Sequence, residues 1–581
     1  MKSYEGIKKV LMEIARGALS DEDVVIRQAS TQINSFSLDQ PEDAKNGDYA
    51  TNIAFSLSKR AGTSPKLFAE NLIVELQEKL KDTVSKIETA GPGFINFFLK
   101  DEVRLNEVKE ISRGVKNFST KNKTVLMEYT DPNCFKVFHI GHLMANAIGE
   151  AIARVYELGG YKVMRVCYPS DIGRNVAMGV WGVMQKENEK PAQSATLKEK
   201  VEFLGMCYAF ANDQFEHHEY AKKEITDVNK AIYEGSDAKV MEVYAEGRTL
   251  SLEYFDSMYA KLGTTFDNFI FESEVAEEGL KIVKEYLKKY ILEVGDGGAI
   301  VYKGEKDGLH TRVFVNAQGL PTYEAKDLGN YEKKLALAPD AHRYVVITAN
   351  EQNEYFKVVN TVEQKIHPEL TGKILHFGHG MLRLPKGKMS SRTGNVISAD
   401  DLIGEVSEKI RERVHEMRVE ESEKEKLVND ISVGAIKFSI LKQAIGRDIV
   451  FDFEKSISFE GDSGPYLQYT HARMCALIAK AKEVGISDEI KNVTASEIEL
   501  ERLINNYEQV MEKSFNEMSP HHIVQYLLAL TRAFNNVYGR VQIVNENDKE
   551  GSAYYVMLTK AVKNILSHGL NTLGIVAPTR M

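Results

Sequence analysis

Apolar and polar positions divide the chain into three stretches of different rhythm. Residues 1 to about 115 mix periods. A helical spacing runs from Tyr4 to Ala18, and a turn-rich run from Pro41 to Tyr49 carries Asn46-Gly47-Asp48. An apolar helix is predicted over Thr51 to Ala61. Behind Gly91-Pro92-Gly93, the alternating aromatic run Phe94 to Leu99 predicts a strand. Together these read as a small α/β unit, closed by a polar linker over 116–123.

The second stretch opens on a β-α-β unit. Thr124 to Thr130 has the near-continuous apolar character of a buried strand, stopped by Asp131-Pro132-Asn133 because proline removes a ladder donor. Leu143 to Leu158 has helical spacing and ends at Gly159-Gly160, and Tyr161 to Tyr168 is a second apolar strand. A strand, a long helix and a strand imply a parallel pair and hence a doubly wound, Rossmann-type sheet. Residues from about 185 to 293 are mostly charged helix and read as an insertion. Apolar strands resume at Arg343 to Ile347 and Ile374 to Phe377. From Asp400 the pattern is helical: Ala399–Met417, Glu423–Lys442, Pro465–Glu483, Ser496–Asn516, Pro520–Tyr538 and Glu550–Leu573. The expected fold is thus a multidomain α/β protein. Its parts are an N-terminal α/β domain (1–115), a catalytic-type sheet domain (116–400), a helical connector (401–450) and an all-α bundle (451–581).

Length agrees with several domains, since 581 residues exceed what one core supports. The composition is that of an ordinary globular chain, 43% apolar and 27% charged. No run approaches ~18 apolar residues, so no membrane span is expected, and the N-terminus lacks the apolar stretch of a secretory signal. A cytoplasmic protein is the expectation. Cys134, Cys167, Cys207 and Cys475 are far apart and form no C-x-x-C pair, so neither a structural zinc site nor a disulfide framework is expected. The net charge of −10 argues against bulk attraction to nucleic acid but leaves room for a local basic groove.

Candidate chemistry lies in two segments. His139-Ile140-Gly141-His142 falls at a strand-to-helix junction, where ligands of open α/β sheets bind and where a helix N-terminus offers free N–H groups to phosphate. The histidines can donate to a phosphoryl group as its charge grows, and Lys136 adds a cation. The second segment, Leu384 to Asn395, contains Lys388-Met389-Ser390-Ser391-Arg392, a basic, hydroxyl-rich loop suited to a triphosphate. Either segment alone could be a solvated polar loop; in this order, across an α/β region, they point to ATP.

The two segments resemble the H-I-G-H and K-M-S-K-S motifs of class I aminoacyl-tRNA synthetases. Further runs are similar to the arginyl-tRNA synthetase family: Glu128 to Leu143, Tyr168 to Gly173, Tyr323 to Asp327, Gly461 to Arg473, Gly47 to Asn52 and the C-terminal Leu573 to Met581. The resemblance runs from about residue 40 to the end. It implies an arginine–tRNA ligase that forms arginyl-adenylate from L-arginine and ATP and transfers arginine to the 3′ end of tRNA(Arg), with tRNA present for activation. His139, His142, Lys136 and Lys388 would be catalytic. ATP would be held by His139, Gly141, His142, Met381, Lys388, Met389, Ser390 and Arg392, with Mg²⁺ accompanying it. Arginine would be held by Glu128 and Asp327 at the guanidinium, with Tyr323 packing along the side chain or donating its hydroxyl. Asn133 would hold the α-amino or carboxylate end, and Gln352 is a further candidate. A lone acid inside an apolar strand, as at Glu128, is costly unless paired, by a substrate cation or by an internal salt bridge.

The resemblance also implies that the N-terminal domain binds the tRNA elbow through Phe94 and Asn96, by stacking and edge hydrogen bonds. The helical domain would take the anticodon, and a monomer is expected. Two positions depart from the family pattern. Ser391 stands where K-M-S-K-S has its second lysine, a loss for which Lys136 is expected to compensate. Thr348 to Gln352 lacks the histidine of the commoner form. A class I synthetase for glutamate or cysteine would need a basic or zinc-bearing pocket in place of Glu128 and Asp327. A catalytically silent RNA-binding relative would not need the histidine pair with Lys388.

Overall fold

The computed structural model describes residues 2–18, 25–26, 35–384, 398–415, 419–487 and 496–581. The chain forms two compact units, one of residues 119–416 and 424–457, the other of 1–118, 417–423 and 458–581.

The first unit is built on a five-stranded sheet. Its strands are β1 (Thr124–Tyr129), β2 (Lys162–Cys167), β3 (Asn268–Phe269), β4 (Arg343–Ala349) and β5 (Ile374–His379), in the order β5-β4-β1-β2-β3, all parallel. Chain order runs outward from β1 to β3 on one side and from β4 to β5 on the other. The direction of winding therefore switches between β1 and β4, the crevice where such sheets bind ligands. Glu128 lies opposite Val346 of β4 and Val166 of β2, in the middle of the sheet. Between β1 and β2 runs α1 (Ile140–Leu158), whose apolar residues are buried almost throughout, so both ends are held rigidly.

The stretch expected as a helical insertion contains α2 (Arg174–Gln185) at its edge, then α3 (Leu197–His217), α4 (Glu219–Glu234), α5 (Ala238–Leu262) and α6 (Glu272–Lys288). The edge strand β3 lies inside this stretch and rejoins the central sheet, earlier than the boundary near 293. Next come a three-stranded antiparallel sheet (Glu293–Val294, Ile300–Tyr302, Arg312–Val315), α7 (Tyr323–Leu337) and α8 (Asn353–Ile366). The helices Ala399–His415 and Glu421–Leu441 follow.

In the second unit the N-terminal and C-terminal regions belong together. The strand Phe94–Leu99 pairs with Tyr49–Thr51 and with Val84–Ala90. Tyr49–Thr51 is itself a strand, so the helix expected from Thr51 begins at Ile53 and ends at Leu57. Arg104 pairs with Glu501 at 2.7 Å, both buried, and Arg502 donates to the carbonyl of Gly47 at 2.7 Å. The C-terminal helices are Gly464–Glu483, Ile498–Asn505, Tyr507–Glu517, His521–Arg540 and Lys549–Thr572. Ser496–Asn516, expected as one helix, is two with a break at Asn506. Among the described residues no helix is long and apolar enough to cross a membrane.

Candidate active site

The carboxyl end of β1 carries the least relaxed backbone of the unit. Thr130 has φ 87° and Asp131 φ 43°, and Phe135 has φ 64°. Positive φ is unfavourable for any residue with a Cβ, and most of all for β-branched threonine; such conformations persist where the surroundings over-determine them, commonly at ligand sites. Here Asn146 donates to Thr130 Oγ1 at 3.1 Å and the Tyr168 amide donates to Asp131 Oδ1 at 2.7 Å. The turn is fixed from two sides, and Asn133 pairs with Ser170 beyond it.

Three carboxylates gather around this turn. Glu128, 3% exposed, accepts from Asn330 Nδ2 at 2.7 Å and from the Lys334 ammonium at 2.8 Å, both on Oε2. Asp131 uses Oδ1 as described, and Asp327 accepts from the Tyr355 hydroxyl on Oδ2 at 2.6 Å. Each carboxylate therefore has one oxygen tied to the protein. Glu128 Oε1, Asp131 Oδ2 and Asp327 Oδ1 accept no hydrogen bond among the described residues, and none of the three is sealed in the interior. Burial, followed by the charge of Glu128, pushes the Asp131 carboxyl well above the usual range. Burial likewise raises Asp327 to about 7, against the lowering effect of the Tyr355 hydroxyl. One internal ammonium faces three acids, so the cluster is poised for a second cation with several donors. A guanidinium, planar and permanently charged, fits that requirement.

Tyr323 is 46% exposed at the start of α7, and its hydroxyl accepts from Asn175 Nδ2 at 2.9 Å. Tyr208 of α3 donates to Asn175 Oδ1 at 3.4 Å, and the Lys136 ammonium lies 4.2 Å from the Tyr208 ring centre. Lys326 lies over the Tyr323 ring at 4.4 Å and pairs with buried Glu272. Tyr323, Asn175, Tyr208 and Lys136 thus form one chain of contacts from the carboxylate pocket toward the histidines. Gln352 is exposed and without a hydrogen bond among the described residues.

At the N-terminus of α1, His139 is the N-cap. Its Nδ1 accepts from the amides of Gly141 at 3.1 Å and His142 at 3.3 Å, and His142 Nδ1 accepts from the His139 amide at 3.3 Å. An imidazole that accepts at Nδ1 while neutral carries its proton on Nε2, so both rings keep a donor for a ligand. Neutrality follows from the surroundings. Burial, aided by the charge of Lys136, lowers His139 to about 4, and burial holds His142 well below the usual histidine range. The rings stack with centres 3.5 Å apart. A Cβ on Gly141 would lie 2.9 Å from His139 Cε1 and Nδ1, which is the local reason for glycine there.

Lys388, Met389, Ser390, Ser391 and Arg392 lie outside the described residues. The residues beside them return to the histidines: Ser398 bridges to His139, and the Ala399 amide donates to the Phe138 carbonyl at 2.8 Å. Met381, expected to contact ATP, has both backbone groups engaged. Its amide donates to Asp448 at 2.9 Å and its carbonyl accepts from Ile449 at 2.8 Å, which leaves its side chain for contact with a base. In the other unit, Phe94 is 42% exposed and meets the Phe55 ring at 5.1 Å, whereas Asn96 is 3% exposed within the sheet. Sequence reasoning passed over Asp131, Asn330, Lys334 and Tyr355. The only local signal was spacing: Asp327, Asn330 and Lys334 recur at three and four along α7, one face of a helix.

Known proteins match most of the chain. The family described as tRNA synthetases class I (R), catalytic domain, matches residues 107–453. An arginyl tRNA synthetase N terminal domain matches 5–99, and a DALR anticodon binding domain matches 467–581. A relative from Clostridium beijerinckii, named arginine–tRNA ligase, is 30% identical over 543 residues, covering 92% of this chain and 94% of its own length. One of the same name from Borrelia hermsii is 29% identical, covering 93% of each chain. The solved arginyl-tRNA synthetase of Thermus thermophilus shares the fold, with a TM-score of 0.79 at 23% identity over 99% of this chain and all of that one. With the catalytic-domain family spanning more than half of its residues, the chain belongs to the class I arginyl-tRNA synthetases.

Proposed function

We propose that this chain is an arginine–tRNA ligase: it activates L-arginine with ATP, releasing diphosphate, and transfers the arginyl group to tRNA(Arg). The observation that carries the substrate choice is the trio of half-satisfied carboxylates at the switch point of the sheet. Glu128 and Asp327 take the guanidinium, Tyr323 lines its path, and Asn133 and Gln352 hold the α-amino and carboxylate end. The substrate carboxylate then attacks the ATP α-phosphorus in line and diphosphate leaves; a tRNA terminal hydroxyl next attacks the acyl carbon of the resulting mixed anhydride, and AMP leaves with the bond that breaks. No protein nucleophile is needed, so positioning and charge stabilisation carry the rate.

In this reading His139 and His142 donate from Nε2 to phosphoryl oxygens as negative charge grows, with no proton to lose first. Lys136 and Lys388 supply cations, Gly141 lets the nucleotide approach the backbone, and Met381, Met389, Ser390 and Arg392 complete the ATP site. Mg²⁺ is carried in by ATP. Among the described residues no group of three or more histidines, cysteines or acids is arranged to hold a metal. The domain over 1–115 takes the tRNA elbow, with exposed Phe94 as the stacking group; Asn96, 3% exposed, has little surface left for the edge hydrogen bonds expected of it. Residues 116–400 catalyse, 401–450 connect, and 451–581 take the anticodon. Activation requires tRNA, and the enzyme acts as a monomer in the cytoplasm. The decisive experiment incubates the protein with ATP, tRNA(Arg) and each of the twenty amino acids. Arginyl-tRNA alone is expected; charging with another amino acid, or none, refutes the reading.

A further inference from the structure

The pocket contains a cation of its own. Lys334 of α7 is 1% exposed, and Glu128 is its one ion-pair partner among the described residues. From α8, Glu363 is equally buried, with both carboxyl oxygens lacking a hydrogen-bond partner. Burial, followed by the charge of Glu332, pushes that carboxyl well above the usual range against the lowering effect of Lys334, and Glu128 is the carboxylate that the Lys334 ammonium touches. A buried ion pair adds little stability over a well-packed apolar pair, so its use here calls for another reason. The geometry supplies one. Both internal donors, Asn330 Nδ2 and Lys334 Nζ, sit on Oε2 of Glu128, which leaves Oε1 without a hydrogen bond among the described residues.

We propose that Lys334 is a specificity-determining residue: it turns Glu128 Oε1 toward the substrate and holds a point charge that a compact ammonium meets less favourably than a guanidinium does. The inference rests on the reading that Glu128 and Asp327 hold the substrate cation. A guanidinium spreads its charge over three nitrogens and spans two carboxylates from one plane; an ammonium concentrates the same charge and is more strongly hydrated. Within a few ångströms of Lys334, in a site of low dielectric, the concentrated charge is repelled more. Rejecting lysine in this way is a repulsive element, which specificity commonly requires beside attractive ones.

The test is ATP–pyrophosphate exchange by the full chain with tRNA(Arg) present, on arginine and on lysine, for wild type, K334Q, K334R, N330A and E128Q. K334Q is expected to lower the arginine-over-lysine ratio of kcat/KM by about tenfold or more, with KM for arginine moving more than kcat. K334R, which keeps a cation on Oε2, is expected to restore most of the ratio. N330A, which removes a donor but no charge, is expected to leave the ratio within about threefold. If arginine and lysine use fall together in K334Q, or N330A lowers the ratio equally, Lys334 is only structural and the proposal is overturned. If E128Q leaves KM for arginine unchanged, the pocket reading itself fails; if E128Q raises it while K334Q keeps the ratio, only the present inference fails. Should K334Q not fold, the double variant K334M/E128Q leaves no unpaired charge and is compared with E128Q alone. An equal ratio in the two again overturns the proposal.

Discussion

Arginine binding by this enzyme is expected to depend on pH through Asp327. Its carboxyl is raised to about 7, chiefly by burial, then by the charges of Glu128 and Glu272 against the Tyr355 hydroxyl and Lys334. The free pocket therefore holds a proton on Asp327 below pH 7, and a guanidinium needs the carboxylate. With a midpoint of 7, about 91% of the molecules are ionised at pH 8 and about 9% at pH 6, so the apparent affinity should fall roughly tenfold between them. Arginine should release about half a proton per molecule bound at pH 7. The sign for stability is opposite. A raised carboxyl favours the folded state at low pH, and this contribution is lost as pH rises from about 4 through 7; stabilisation by arginine follows its affinity instead and should be larger at pH 8 than at pH 6. His139, lowered to about 4, does not titrate in this window. The assay is the KM for arginine in exchange with tRNA present, from pH 6 to 8.5 at constant ionic strength. Proton release is counted by calorimetry in two buffers of different ionisation enthalpy. D327N should bind weakly and lose the dependence, while D131N reports whether the neighbouring raised carboxyl contributes. A KM flat across the window in wild type, or an equal slope in D327N, refutes the reasoning.

Three further outcomes follow from the same geometry. Gly141→Ala puts a methyl 2.9 Å from the His139 ring, so the ring must move; kcat should fall at least about tenfold with little change in melting temperature, and an unchanged kcat would show that the ring orientation is unimportant. Glu128→Gln should raise the KM for arginine strongly and leave ATP affinity, read by equilibrium binding, nearly intact; an equal loss of both means that the pocket is misassigned. In the other unit, Arg104→Ala strands Glu501, which is fully buried and shared with the Tyr554 hydroxyl. The loss should be about 3–5 kcal/mol in denaturant unfolding, and a loss below about 1 kcal/mol would mean that Glu501 is satisfied without Arg104.

What the sequence displayed, and what it hid, follows from how local each feature is. β1, α1 and β2 were legible because one buried parallel unit writes its whole pattern within a short run. The strand Asn268–Phe269 was not, because two residues inside a helical stretch carry no period. The H-I-G-H segment announced a phosphate site. That His139 itself caps α1 was invisible, since histidine is not among the usual capping residues. The union of the two chain ends through Arg104 and Glu501 joins partners that no local pattern relates.

Glu128 makes the same point for the site. Its burial in an apolar strand was readable, and so was the choice between a substrate cation and an internal partner. The structure answers with geometry, because Lys334 and Asn330 occupy one oxygen and leave the other. Asp131 is the sharpest instance. In the sequence Asp131-Pro132 reads as the end of a strand, and that is correct. The same residue has φ 43° beside Thr130 at 87°, and it brings a third carboxylate to the pocket. Strain of this kind appears in no composition or period, because it exists only once Asn146 and Tyr168 hold the turn from other elements. The strand-stop signal and the candidate pocket are thus one feature, since a chain that leaves the ladder at the switch point frees its side chains and amides for a ligand.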